Sequence, residues 1–295
     1  MPSLPTAASL ARPLVADGAM GTMLFATGLP TGLPPEAWLL EPDGAAAIAA
    51  VHRAHVGGGA QLVLTSTFGA NRLRLVGSEV EGRTEEVCRA AVSAARAGGD
   101  ADTIIAASMG PTGGLLVPYG LLDAGEVRAA YAEQASIMAG LGVDVLWVET
   151  MMDLNEALAA LDGAREGAPG LPVITTMTFM ANARTMFGDR AEAVAAALVE
   201  HGAAGIGANC GDGFGPVESV IPALAKAAPG LHIVAKANAG IPVADAEGNT
   251  VYPAGADEAA TYAQRVMDAG ATIIGGCCGT TPAHIAAIAG VVAGR

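Results

Sequence analysis

Charge is scarce in this 295-residue chain: 15% of its residues are charged, against 52% hydrophobic. That balance argues against disorder and asks for a large buried interior, as when a mostly parallel sheet is covered on all sides. Basic residues are scarcer still, with 15 Lys+Arg facing 29 Asp+Glu. The formal charge of -14 repels phosphate backbones and anionic lipid surfaces, so neither nucleic acid nor a membrane is an expected partner. The opening MPSLPTAASLARPLVADG has a single Arg and no uninterrupted apolar core. No signal peptide is read there, and a cytoplasmic location is expected.

Charge is missing altogether from residues 269–294, a run long enough on paper to span a bilayer. Its centre, GGCCGTTP, would break any helix, so the expectation is a buried strand, a Gly-rich turn and a separate helix. Cysteine is rare as well. Four thiols (Cys88, Cys210, Cys277 and Cys278) in a chain with no secretory features favour metal or thiol chemistry over a disulfide framework.

What the sequence has in abundance is rhythm. Short apolar runs alternate with Ala-rich stretches that carry apolar residues at i, i+3 and i+4 and an acidic residue near the start. Eight runs read as strands: 13–16, 62–65, 103–108, 143–148, 173–178, 204–208, 232–237 and 272–276. Several intervening helices end in glycine before the next strand, with Gly142, Gly202 and Gly270 in the C-cap position. Eight βα units with no linker or low-complexity tract predict one domain over residues 1–295, a (β/α)8 TIM barrel; an open doubly wound sheet is the structural alternative. The Pro-rich loop from Leu29 to Asp43 is a candidate cover for an active site.

In such a barrel the chemistry belongs to the loops after the strands. Cys210 follows the sixth run, and Cys277 with Cys278 the eighth, so three of the four cysteines fall on one face and can share a metal. Zinc suits thiolates and, with three protein ligands, keeps a position for water or substrate. Three thiolates leave the ion a weak Lewis acid, better at holding a thiol as a nucleophilic thiolate than at polarising carbonyls, and the expected reaction is alkyl transfer to sulfur. A zinc-water hydrolase fits that donor set poorly. Two inert buried cysteines beside a Gly-rich turn, or a vicinal disulfide, are the competing readings.

Motifs along nearly the whole chain (DGAMGTML at 17–24, VHRAHVGGGAQLVLTSTFGAN at 51–71, GPTG at 110–113, ANCG at 208–211, GGCCGTTPAHI at 275–285) resemble those of the homocysteine S-methyltransferase family. The resemblance implies Cys210, Cys277 and Cys278 as zinc ligands. It further implies Asp17 and Glu149 holding the ammonium of homocysteine, with backbone N–H groups of Ala19, Met20 and Gly21 receiving its carboxylate. Turn or cap roles remain the alternative for Asp17 and Glu149. Asn209 either orients substrate or zinc thiolate, or stabilises a turn. No catalytic side chain beyond the substrate thiolate is singled out.

ETMMDLNEA at 149–157 and NAGIP at 238–242 look like the homocysteine module of cobalamin-linked methionine synthases. The expected donor is thus a methylcorrinoid (methylcobalamin) on a separate corrinoid protein, because no cobalamin-binding region follows. Betaine or S-methylmethionine, or a non-catalytic zinc and homocysteine-binding barrel, are the alternatives. Thr280 and Thr281 before Pro282 read as a helix cap, His284 and mid-helix Cys88 as structural. His52 and His55, at i, i+3 spacing, read as surface or packing residues remote from the strand ends, with a metal pair as the competing role.

Overall fold

The computed structural model describes residues 4–245 and 250–294. Seven parallel strands follow one another, β1 (Leu14–Val15), β2 (Leu62–Leu64), β3 (Ile104–Met109), β4 (Val145–Met151), β5 (Val173–Met177), β6 (Gly205–Cys210) and β7 (His232–Ala237). A short antiparallel hairpin, β8 (Val243–Ala244) with β9 (Thr250–Val251), interrupts the series. β10 (Ile273–Gly276) then completes it by pairing with both β7 and β1. β1 meets β2 through a parallel bridge between Ala16 and Leu62, with Gln61 N–H donating to Val15 O and Asp17 N–H to Leu62 O. The ring therefore closes, and the open-sheet alternative is excluded.

Each expected strand is present, as are the four clearest helices: α5 (Ala124–Gly140), α6 (Leu154–Gly167), α7 (Ala191–Glu200) and α9 (Ala256–Asp268). Their starts follow local chemistry. Asp123 accepts from the N–H groups of Gly125 and Glu126, and Asp153 from that of Asn155, satisfying amide donors that a helix N-terminus leaves free. Gly142, Gly202 and Gly270 all have positive φ, the left-handed conformation that releases the chain toward the next strand. The uncharged run at 269–294 divides into β10 and α10 (Pro282–Ala293). No helix among the described residues is long and apolar enough to cross a membrane.

Strand alternation sorts side chains into two cores. Leu14, Leu62, Ile104, Val145, Ile174 and Ile273 point into the barrel, with Ala16, Ala106 and the fully buried Trp147. Leu4 and Leu10 of the N-terminal segment pack against the same cluster. The opposite faces pack against α3 (Pro42–Gly57), α4 (Thr84–Gly98) and the later helices. Emptying the interior at Trp147 by substitution to Ala would cost about 3–5 kcal/mol.

Candidate metal centre and acceptor cavity

The inward parity that places Ile104, Val145 and Val234 in the apolar interior carries on up the strands to Ser108, Glu149 and Lys236. The innermost layer at the C-terminal end is consequently polar. A cavity of about 440 Å3 opens above it, lined by Asp17, Glu149, Lys236 and all three loop cysteines, and by the turn from Gly18 to Thr22. Pro34, Pro35 and Glu36, at the start of α2 (Pro35–Trp38), form part of its wall, as expected of the Pro-rich loop.

The sulfurs of Cys210, Cys277 and Cys278 lie within 4.8 Å of one another, the one group of His, Cys or acidic side chains among the described residues arranged to hold a metal. Hydrogen bonding from the Cys277 and Cys278 thiols holds Cys210 well below the ordinary thiol range, and pushes Cys277 up and Cys278 up to about 11. Negative charge thus gathers on one sulfur flanked by two more. The Asn238 amide donates to Gly211 O at 2.6 Å and to Cys210 Sγ at 3.5 Å, while its Oδ1 is buried with no partner. Three converging sulfurs beside an orphaned buried oxygen fit a thiophilic divalent cation.

The backbone is strained where it delivers these groups. Cys210 and Thr150 both take left-handed φ, 64° and 60°, at the ends of β6 and β4; such a conformation costs a non-glycine residue about 1–3 kcal/mol. Asn209 holds the second bend: its Oδ1 accepts from Thr150 N–H at 2.8 Å and its Nδ2 donates to Thr150 Oγ1 at 2.7 Å. Both polar atoms of Asn209 are thereby engaged in fixing the turn after Glu149. Glu149 is buried and accepts a short hydrogen bond from Ser108 Oγ. Burial pushes its carboxyl up to about 7, against the lowering effect of Ser108.

The turn after β1 is clamped from two sides. Thr280 Oγ1 accepts from Ala19 N–H at 3.0 Å and donates to Cys277 O at 2.7 Å, tying that turn to the cysteine pair. His55 Nε2 lies 3.0 Å from Ala19 O. A Cβ on Gly18 would come within 2.7 Å of the His55 ring and 2.8 Å of Thr280 Oγ1. Met20 and Gly21 line the cavity, and nothing stands within 4 Å of where a Gly21 Cβ would be.

Thr280 and the nearness of His55 to the cavity depart from their sequence reading, while Thr281, His284, Cys88 and the packing role of His52 keep theirs. His52 and His55 are fully buried, and His55 touches the cavity turn; a helix drawn from sequence gives no hint that α3 packs beneath the β1 loop. Thr281 caps α10 through contacts with His284, whose other ring nitrogen meets Ala254 O at 2.8 Å, whereas Thr280 is a bridge. Cys88 is buried in α4, with its thiol pushed up to about 12 by burial. Two participants escaped sequence reading. Lys236 looked like part of an apolar strand, and its inward parity was the available signal. Tyr252 follows β9, and its ring crosses the Cys-Cys-Gly turn so closely that a Gly279 Cβ would lie 2.0 Å from Tyr252 Cγ.

A closed eight-stranded barrel with three cysteines and buried carboxylates around one cavity at the C-terminal ends of its strands defines the class as a (β/α)8 barrel with a candidate metal centre at its mouth. The homocysteine S-methyltransferase family profile matches residues 14–292, and the chain belongs to that family. It is 32% identical over 297 aligned residues to methionine synthase of Mycobacterium tuberculosis and 33% identical to that of Mycobacterium leprae, alignments covering 96% of this chain. It spans about a quarter of the length of those relatives, 25% and 24%. Among solved structures, the homocysteine methyltransferase MmuM from Escherichia coli in its metallated form superposes with a TM-score of 0.78 at 22% identity, over 95% of this chain and 96% of that one. Its apo form gives 0.72 at 24% identity, over the same shares. At those identities the likeness supports the fold.

Proposed function

We propose that the chain transfers a methyl group to the thiol of homocysteine, giving methionine, with zinc held by Cys210, Cys277 and Cys278. The observation that carries the reading is the meeting of those three sulfurs in the same cavity as two buried carboxylates. When bound, zinc would supply a thiophilic centre that favours the thiolate form of a sulfur ligand at neutral pH.

The chain's own residues bind and orient the acceptor. The family resemblance assigns Asp17 and Glu149 to the substrate ammonium; of the two, Glu149 keeps an oxygen with no protein partner among the described residues. Met20 and Gly21 line the cavity, and their N–H groups are assigned to the carboxylate, while that of Ala19 is engaged by Thr280. Asn209 keeps Glu149 aimed by fixing Thr150, and Pro34 with Pro35 narrows access for water. The sulfur is thereby placed for in-line attack on a methyl carbon, where orientation contributes most of the rate. The S–C bond forms as the donor's bond to methyl breaks, and the thiol proton leaves to solvent.

The proposed donor is a methylcorrinoid presented by a separate corrinoid protein. Exposed apolar side chains on the segments that follow β1, β3 and β5 support a protein partner at the mouth, among them Phe25, Val117, Tyr119, Leu121 and Met186, with Leu121 97% exposed. The similarity to methionine synthases supports the same direction. The test is methionine formation by zinc-loaded protein with homocysteine and, separately, methylcobalamin, betaine or S-methylmethionine. Turnover with methylcobalamin alone is expected; turnover with betaine or S-methylmethionine would overturn the donor assignment. Homocysteine binding with no transfer from any donor would favour a non-catalytic binding barrel.

A further inference from the structure

Lys236 has no role in the account so far, yet it is among the most constrained charges in the molecule. Its side chain is 3% exposed and lies on β7, paired in register with Asn209 of β6 and Gly275 of β10. Nζ donates to Asp17 Oδ1 at 2.6 Å and to Asp17 O at 2.7 Å. Asp17 Oδ2 accepts from Leu64 N–H at 2.8 Å. Both carboxylate oxygens of Asp17 therefore already have donors inside the protein. A substrate ammonium would have to displace one of them, and it would do so beside a like charge.

An ammonium group carries three donors. Two of those on Lys236 are spent on Asp17, and the third has no acceptor among the described residues although the residue lines the cavity. On the other side of the cavity, one of the three backbone donors expected to meet a carboxylate is occupied, since Ala19 N–H is held by Thr280. The site thus offers an idle buried cation and is short of one anion donor.

We propose that Lys236, held in place by Asp17, binds the carboxylate of the thiol substrate, and that Glu149 alone receives the ammonium. Asp17 then acts as a positioning residue for Lys236. The acceptor class this specifies is a thiol bearing a carboxylate, and the inference rests on the aminothiol reading above.

The test is calorimetric binding to the zinc-loaded full chain of homocysteine, of aminopropanethiol, which lacks the carboxylate, and of mercaptobutyrate, which lacks the ammonium. In the wild type, loss of the carboxylate should weaken binding roughly 10- to 100-fold, the range of a hydrogen bond to a charged group. In Lys236→Met that difference should shrink to about threefold or less, while the preference for homocysteine over mercaptobutyrate stays as in the wild type. Because this change leaves Asp17 without its partner, the double variant Asp17→Asn, Lys236→Met is measured beside it, with the same pattern expected. Aminopropanethiol binding the wild type as tightly as homocysteine, or a folded variant keeping the wild-type preference for the carboxylate, would overturn the proposal. Failure of homocysteine to bind the wild type at all would instead overturn the acceptor reading, and this inference with it.

Discussion

The same strands build both ends of the barrel, but they finish in opposite chemistry. Toward the N-terminal end the inward positions are Leu14, Leu62, Ile104 and Ile273, with Leu4 and Leu10 packed against them and His232 Nε2 lying 2.7 Å from Pro5 O. At the C-terminal end, Ser108 lies four residues beyond Ile104, Glu149 four beyond the inward Val145 and Lys236 two beyond the inward Val234, under a cavity that also holds three cysteines. Strained φ at Thr150 and Cys210 occurs at that end. The difference teaches that the apolar layers fix the strand ends firmly enough to hold buried charge and bent backbone in place. Stability and chemistry should accordingly respond to different substitutions.

The largest effect expected at the mouth is on transfer. Losing a residue that merely orients a metal ligand costs about 10–100-fold, so Cys210→Ser, which removes a ligand itself, should lower methionine formation by more than about 100-fold. Its thermal unfolding should change little beyond the stabilisation that bound zinc gives. At the closed end the pattern should reverse. Ile273→Ala should cost about 2–5 kcal/mol of stability by denaturant unfolding, while the folded, zinc-loaded fraction keeps the wild-type rate. A variant at either end that damaged both properties equally would break the comparison.

Smaller effects sharpen it. Glu149 is neutral below about 7, where burial has moved it, and ionised above. An ammonium needs the carboxylate, so homocysteine binding should strengthen as pH rises through about 7. Glu149→Gln should flatten that profile and weaken binding at pH 8 by roughly 10–100-fold. Asn209→Ala removes both hydrogen bonds on Thr150, and should reduce stability by about 1–3 kcal/mol and raise KM more than it lowers kcat.

Much of this contrast was legible in the sequence. Eight apolar runs gave the strands, because alternation and terminal glycines are local signals, and position after a run was enough to bring Cys210 together with Cys277 and Cys278. Asp17 and Glu149 were reached through the family resemblance, and their places at the ends of the first and fourth runs agree with it. The illegible part depends on packing between distant segments. Lys236 is buried because its parity coincides with that of Val234, and its partner lies 219 positions away. The burial of His55 follows from the docking of α3 under the β1 turn, and the place of Tyr252 from a hairpin whose short strands are exposed on both faces. Thr280 shows the limit within one motif: capping chemistry accounts for Thr281, while its neighbour bonds across the barrel mouth to Ala19.

The central claim is that three sulfurs from two strand ends serve one ion. X-ray absorption at the zinc edge, on protein with one equivalent of zinc, addresses it directly. The account predicts three sulfur neighbours near about 2.3 Å, falling to two in Cys277→Ser with much weaker retention of the metal. A wild-type spectrum dominated by nitrogen and oxygen neighbours, or one unchanged by that substitution, would contradict it.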